Sequence, residues 1–168
     1  MAQSSKKNYP LIIEGVWDGE TDSKICSINY IKKHIENIKK TNLDVSITCN
    51  ETDISLDKVV AFLISLVCDK GQIYAHVNTN GYWNNGSNVF PDRISVGWMI
   101  YIPAIILPEL IPEAAKIVPI FDGEKQKGTI VLSTEEIFDG NNKEHIGKAN
   151  DIEIKLLDLG LLPLMTEL

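Results

Sequence analysis

Hydrophobic and polar positions change period along this chain, and each change marks an element. Residues 9–17 (YPLIIEGVW) are rich in β-branched and aromatic types and predict a first strand, followed by an acidic turn from Asp18 to Asp22. Ile28, Ile31, Ile35 and Ile38 recur three and four positions apart behind Ser27, which predicts a helix over 27–40 with Lys39 and Lys40 in its last turn. Leu43, Val45, Ile47 and Cys49 then alternate with Asp44, Ser46 and Thr48, the period of a half-buried strand. The fullest apolar stripe is Leu56, Val59, Val60, Leu63, Ile64 and Val67, a helix over 55–67 capped by Ser55 and stopped before Gly71. A strand over 73–78 leads into a long polar loop over 79–92, and 93–101 (RISVGWMIY) reads as a buried strand.

The remainder of the chain carries clear stop and start signals. Pro103, Pro108 and Pro112 exclude one continuous helix between 103 and 119. Ile117 to Phe121 and Thr129 to Leu132 flank a charged loop over 122–128 and predict a hairpin. Ser133 and Glu136 fit a capping box for a short helix ending at Phe138. Asn141 and Glu144 are similarly placed before a last helix that runs to about Leu159, with Gly160 and Pro163 as stops. Strands and helices mix without regular βαβ alternation, so the expected class is α+β: a mostly antiparallel or mixed sheet with three main helices packed against it. The expected organisation is a flexible tail over 1–8 and a single globular domain over 9–168, since 168 residues suit one domain.

Charge changes the functional picture more than composition does. The formal net charge is -7, and Arg93 is the single arginine. That balance argues against a nucleic-acid or anionic-membrane surface, where cations must neutralise phosphates. Cys26, Cys49 and Cys68 show no C-x-x-C spacing and read as reduced thiols, and the polar N-terminus resembles no signal peptide, so the expected location is the cytoplasm. His34, His76 and His145 stand at no ligand spacing, and no nucleophile elbow, phosphate loop or zinc-binding pattern occurs. No residue is therefore assigned a catalytic or metal-binding role, and no cofactor is expected.

Two features rise above background. Tyr82, Trp83 and Asn84, with Phe90 further along, combine rigid aromatics and small polar residues in the manner of a binding surface, although Trp83 folded back as a lid on the core explains the same composition. The second is the acidity of 133–158, where Glu135, Glu136, Asp139, Glu144, Asp151, Glu153 and Asp158 face only Lys143, Lys148 and Lys155. Such a face attracts a basic protein partner, although a solvated helix face has the same composition.

The string Ile94-Ser95-Val96-Gly97-Trp98-Met99-Ile100-Tyr101-Ile102-Pro103 resembles a strand motif of bacterial immunity proteins in polymorphic-toxin systems, with the immunity protein 52 family as the nearest group. Gly128-Thr129-Ile130, His145-Ile146, Ala149 to Glu153, Leu157 and Gly160 to Pro163 are similar to that family's ending. The resemblance covers about residues 93–163; at the N-terminus Asp18 separates Trp17 from Gly19 where the family carries a Trp-Gly-type stretch. It implies a non-enzymatic cytoplasmic inhibitor of a toxin delivered by contact-dependent or type VI secretion, the toxin being a nuclease of the restriction-endonuclease fold. The toxin-binding candidates are then Tyr82, Trp83, Asn84, Phe90, Glu135, Glu136 and Asp139. A small hydrolase with its site in the 79–93 loop and a non-inhibitory adaptor subunit are the alternatives, and a homo-oligomer stays open.

Overall fold

The computed structural model describes residues 11–19, 25–35, 38–48, 53–68, 74–79, 81–82 and 86–168. Within the stretch read above as one domain, the chain gathers into two compact units, 1–54 and 55–168. The expected tail over 1–8 lies outside the described residues. The class is α+β, with two antiparallel sheets and two α-helices among the described residues rather than one sheet and three main helices.

The first unit is a three-stranded sheet in the order β1 (Leu11–Trp17), β2 (Ile25–Ile35), β3 (Ile38–Thr48). The expected helix over 27–40 is thus wrong: residues 27–35 belong to β2 and 38–40 to β3. Isoleucine spaced three and four apart satisfies a helical stripe, but its branched Cβ favours a pleated strand, and cross-strand pairing decides the contest. The ladder joins Ile13 to Ile31 and Ile31 to Asn42, then Val16 to Ile28 and Ile28 to Val45. The alternating run from Leu43 falls inside β3, with Cys49 outside the described residues.

The second unit opens with α1 (Leu56–Cys68), whose buried residues are Leu63 and Val67. The Lys58 backbone N–H donates to Ser55 Oγ at 3.4 Å, so the expected N-cap is in place. A four-stranded antiparallel sheet follows, in the order β4 (Ala75–Val77), β5 (Met99–Ile102), β7 (Lys125–Leu132), β6 (Lys116–Asp122). All four residues of β5 are buried, because the strand is flanked on both sides in the sheet and covered on both faces. Ile100 and Ile102 share a core with Ile106, Ile111 and Val131, and with Ile152 and Leu156 of α2 (Lys143–Asp158). α1 lies against β6.

Three expectations for this unit shift in detail. The β6–β7 hairpin is tighter than a loop over 122–128, since Asp122 already pairs with Lys125. No helix forms over 133–138: Ser133 is buried, and its Oγ lies 2.7 Å from the Gly97 carbonyl and 3.1 Å from that of Trp98. The hydroxyl that would cap a helix is engaged instead by the distant buried segment before β5. α2 is capped by Asn142 rather than Asn141, with Asn142 Oδ1 accepting the Glu144 N–H at 2.9 Å, and Gly160 follows its end at φ 69°. Among the described residues no helix is long and apolar enough to cross a membrane.

Candidate functional site

The polar loop and the acidic segment meet on α2, and a buried carboxylate organises the meeting. Ala149, Ile152, Glu153 and Leu156 stand at i, i+3, i+4 and i+7, so the helix turns all four to the core. Glu153 is 1% exposed. Its Oε1 accepts the Val96 N–H at 2.9 Å and lies 2.9 Å from the Tyr82 hydroxyl, and its Oε2 accepts the Val89 N–H at 2.8 Å. A buried carboxylate left unpaired would cost several kcal/mol, so these donors are what make its position tenable. Burial still pushes the Glu153 carboxyl above the ordinary range, against the pull of the Val96, Val89, Tyr82 and Phe90 donors.

Through Glu153 the helix holds two stretches of chain far away in sequence. Ile94 to Trp98 is buried yet outside the ladder of β5, and Val96 spends its N–H on the carboxylate rather than on a strand. Tyr82 is fully buried, its ring 5.3 Å edge-on from Phe138 and its hydroxyl 3.0 Å from Asn150 Oδ1. Burial and the Glu153 charge push the Tyr82 phenol well above its usual range. Tyr82 is therefore not an exposed contact residue, as its polar neighbours implied; it fastens the loop to α2. Phe90 is half-buried against the main core cluster. Trp83 and Asn84 lie outside the described residues.

Glu135, Glu136 and Asp139 are exposed and share one segment leading into α2. Three contacts order that segment. The Asp139 backbone N–H donates to His145 Nδ1 at 2.9 Å, His145 Nε2 lies 3.2 Å from Glu136 Oε1, and Thr79 Oγ1 donates to the Phe138 carbonyl at 2.6 Å. Asp139 Oδ1 accepts the Asn141 N–H at 2.9 Å. The Glu136 carboxyl is held below the usual range by its own backbone N–H, with His145 and Lys148 assisting. Further along α2, Asp151, Ile154, Lys155 and Asp158 line a shallow cleft of about 310 Å³ closed on its other side by Glu113. Three carboxylates against one lysine leave this cleft acidic as well.

The structure separates the acidic residues that the sequence grouped together. Asp151 and Asp158 face outward, whereas Glu153 belongs to the core. The helical stripe through Ala149, Ile152 and Leu156 is the signal that distinguishes them.

One serine–histidine contact lies beside the loop. Ser95 Oγ is 3.3 Å from His76 Nδ1 and accepts from Asn78 Nδ2 at 3.1 Å. Ser95 is fully buried, so its hydroxyl has no access to a substrate carbonyl in this conformation. Asn78 Oδ1 faces Gly97, where an added Cβ would sit 1.6 Å away. Gly97 also has φ 55°, so two independent constraints require glycine at this crossing of β4 and the buried segment. Among the described residues no three His, Cys, Asp or Glu side chains gather in a way that could hold a metal ion. Comparison with models of known protein families and with curated protein sequences gives no match for this chain.

Proposed function

We propose that this chain is a cytoplasmic immunity protein that binds one cognate secreted toxin, a nuclease, and occludes its active site. The observation that carries the reading is the ordered acidic surface: exposed Glu135, Glu136 and Asp139 on a segment pinned to α2, with Asp151 and Asp158 outward on the same helix. A nuclease keeps a basic cleft for phosphates, and carboxylates held in place fill such a cleft at a smaller ordering cost than mobile ones. The net charge of -7 favours rapid encounter with a basic partner. The resemblance of residues 93–163 to immunity proteins points the same way.

The test is survival on co-expression. Cells making the cognate nuclease domain, sought in the reading frame beside this chain's, should grow when the chain is co-expressed and die when it is not. Equal killing in both cases would remove the inhibitory reading and favour an adaptor role.

A further inference from the structure

We propose that His145 is a proton-sensitive pin that sets the shape of the acidic segment 134–142. His145 stands in the first turn of α2 and is 8% exposed. Its Nδ1 accepts the Asp139 backbone N–H at 2.9 Å, and a backbone amide is only ever a donor. Nδ1 therefore carries the lone pair, the ring is neutral, and its one proton sits on Nε2, 3.2 Å from Glu136 Oε1. The ring centre packs 5.6 Å from that of Phe138, which fixes its plane.

A second proton has one place to go. It enters at Nδ1, where it turns an acceptor into a donor that faces the Asp139 N–H. The Asp139 bond is then lost, whatever the pH at which the proton binds. The neighbouring charges are few. From the segment, Glu136 draws the imidazolium, while the Asp139 carboxylate accepts the N–H of Asn141. From α2, Glu144 is paired with Lys148 at 3.5 Å, and Lys148 also acts on Glu136. The positive end of the α2 dipole opposes a charged ring in this first turn. Beyond Phe138 stands Tyr82, with its hydroxyl on Glu153.

Release of Asp139 loosens the stretch around Asp139 itself, while the Trp98 bond to the Thr134 carbonyl, the Thr134 hydroxyl bond to the Glu136 carbonyl, the Glu136–His145 contact, the Thr79 bond to the Phe138 carbonyl and the bond from the Asn142 N–H to the Asp139 carbonyl stay in place on either side. An imidazolium also offsets the Glu136 charge. If the proposed toxin reading holds, the carboxylates that meet the partner are rigid when His145 is neutral and looser, with less net charge, when it is protonated.

Nuclear magnetic resonance of the full chain from pH 8 to pH 5 tests the pin without any partner, so its failure is distinct from failure of the toxin reading. Long-range ring spectra should show the Nε2–H tautomer at pH 8, and the Asp139 amide signal should shift with the same midpoint as the ring. His145→Gln should abolish that shift. Glu136→Gln, which leaves the histidine and the Asp139 N–H in place, should keep the ring and amide midpoints coincident. An Nδ1–H tautomer at pH 8, a ring that stays neutral until the chain unfolds, or an Asp139 amide that stays still while the ring titrates would overturn the proposal.

Discussion

Replacing Glu153 by Leu tests the organisation of the site at its centre. The substitution keeps apolar bulk on the core stripe of α2 but removes both acceptor oxygens. The Val96 and Val89 N–H groups, now 2.9 Å and 2.8 Å from carboxylate oxygens, lose their partners, whereas the Tyr82 hydroxyl keeps Asn150 Oδ1 at 3.0 Å. The orphaned Val96 donor, on a fully buried residue, costs about 1–3 kcal/mol, and the Val89 donor, on an exposed residue, costs less. Relief of the carboxylate's desolvation offsets part of that sum, so the expected net loss is roughly 1–3 kcal/mol. The assay is urea unfolding of the full chain, paired with hydrogen exchange at the Val96 amide, which should speed up by about 100-fold for a loss near 3 kcal/mol.

Glu153→Gln provides the internal control. Its carbonyl oxygen in the Oε1 position still accepts from Val96 and Tyr82, and only the Val89 N–H meets an amide donor. It should therefore cost less than Leu. The pH dependence has a definite sign. The folded-state carboxyl lies above its ordinary value of 4.5, so the wild-type contribution is fullest below that value and is lost as pH rises through the raised one. The stability difference between wild type and the Gln variant should move toward wild type on acidification. A Leu variant as stable as wild type, with unchanged Val96 exchange, would refute the reasoning, because the donors would then have other partners.

Other expectations follow from the same contacts. Trp98→Ala removes a side chain 2% exposed, together with its Nε1–H bond to the Thr134 carbonyl at 3.2 Å, and should cost about 3–5 kcal/mol in denaturant unfolding; a change under 1 kcal/mol would contradict its place in the core. Gly97→Ala forces a Cβ onto Asn78 Oδ1 at a positive φ and should destabilise by about 2 kcal/mol or more, with partial recovery in Gly97→Ala/Asn78→Ala if the clash dominates. Under the proposed toxin reading, Glu135→Lys with Glu136→Lys should slow association with the partner and reduce its salt dependence, measured by stopped flow, while dissociation changes little; an unchanged association rate would place the interface elsewhere.

Much of the second unit was legible because its signals are local. The α1 stripe behind Ser55, the stop at Gly160 and the apolar runs of the β6–β7 hairpin each depend on residues within a few positions of one another. The isoleucines of 27–40 were misread because spacing three and four apart serves a helix, and only pairing with β1 and with the rest of β3 makes them strand. Ser133 carried a valid capping pattern, but its acceptors sit on Gly97 and Trp98, which no local window contains. Tyr82 looked exposed because its neighbours are polar, and its partner, Glu153, is 71 residues away. Glu153 itself was detectable, since a charge on the apolar stripe of an amphipathic helix must find buried donors.

The inhibitory claim meets its most direct test in a cleavage titration. Purified chain is added to the nuclease domain that the proposal requires as its cognate toxin, and DNA or RNA cleavage is followed at fixed substrate. The account predicts that activity falls linearly and reaches zero near a one-to-one ratio, as expected for a tight partner that fills the catalytic cleft. Cleavage that continues undiminished at a large excess of the chain would contradict it.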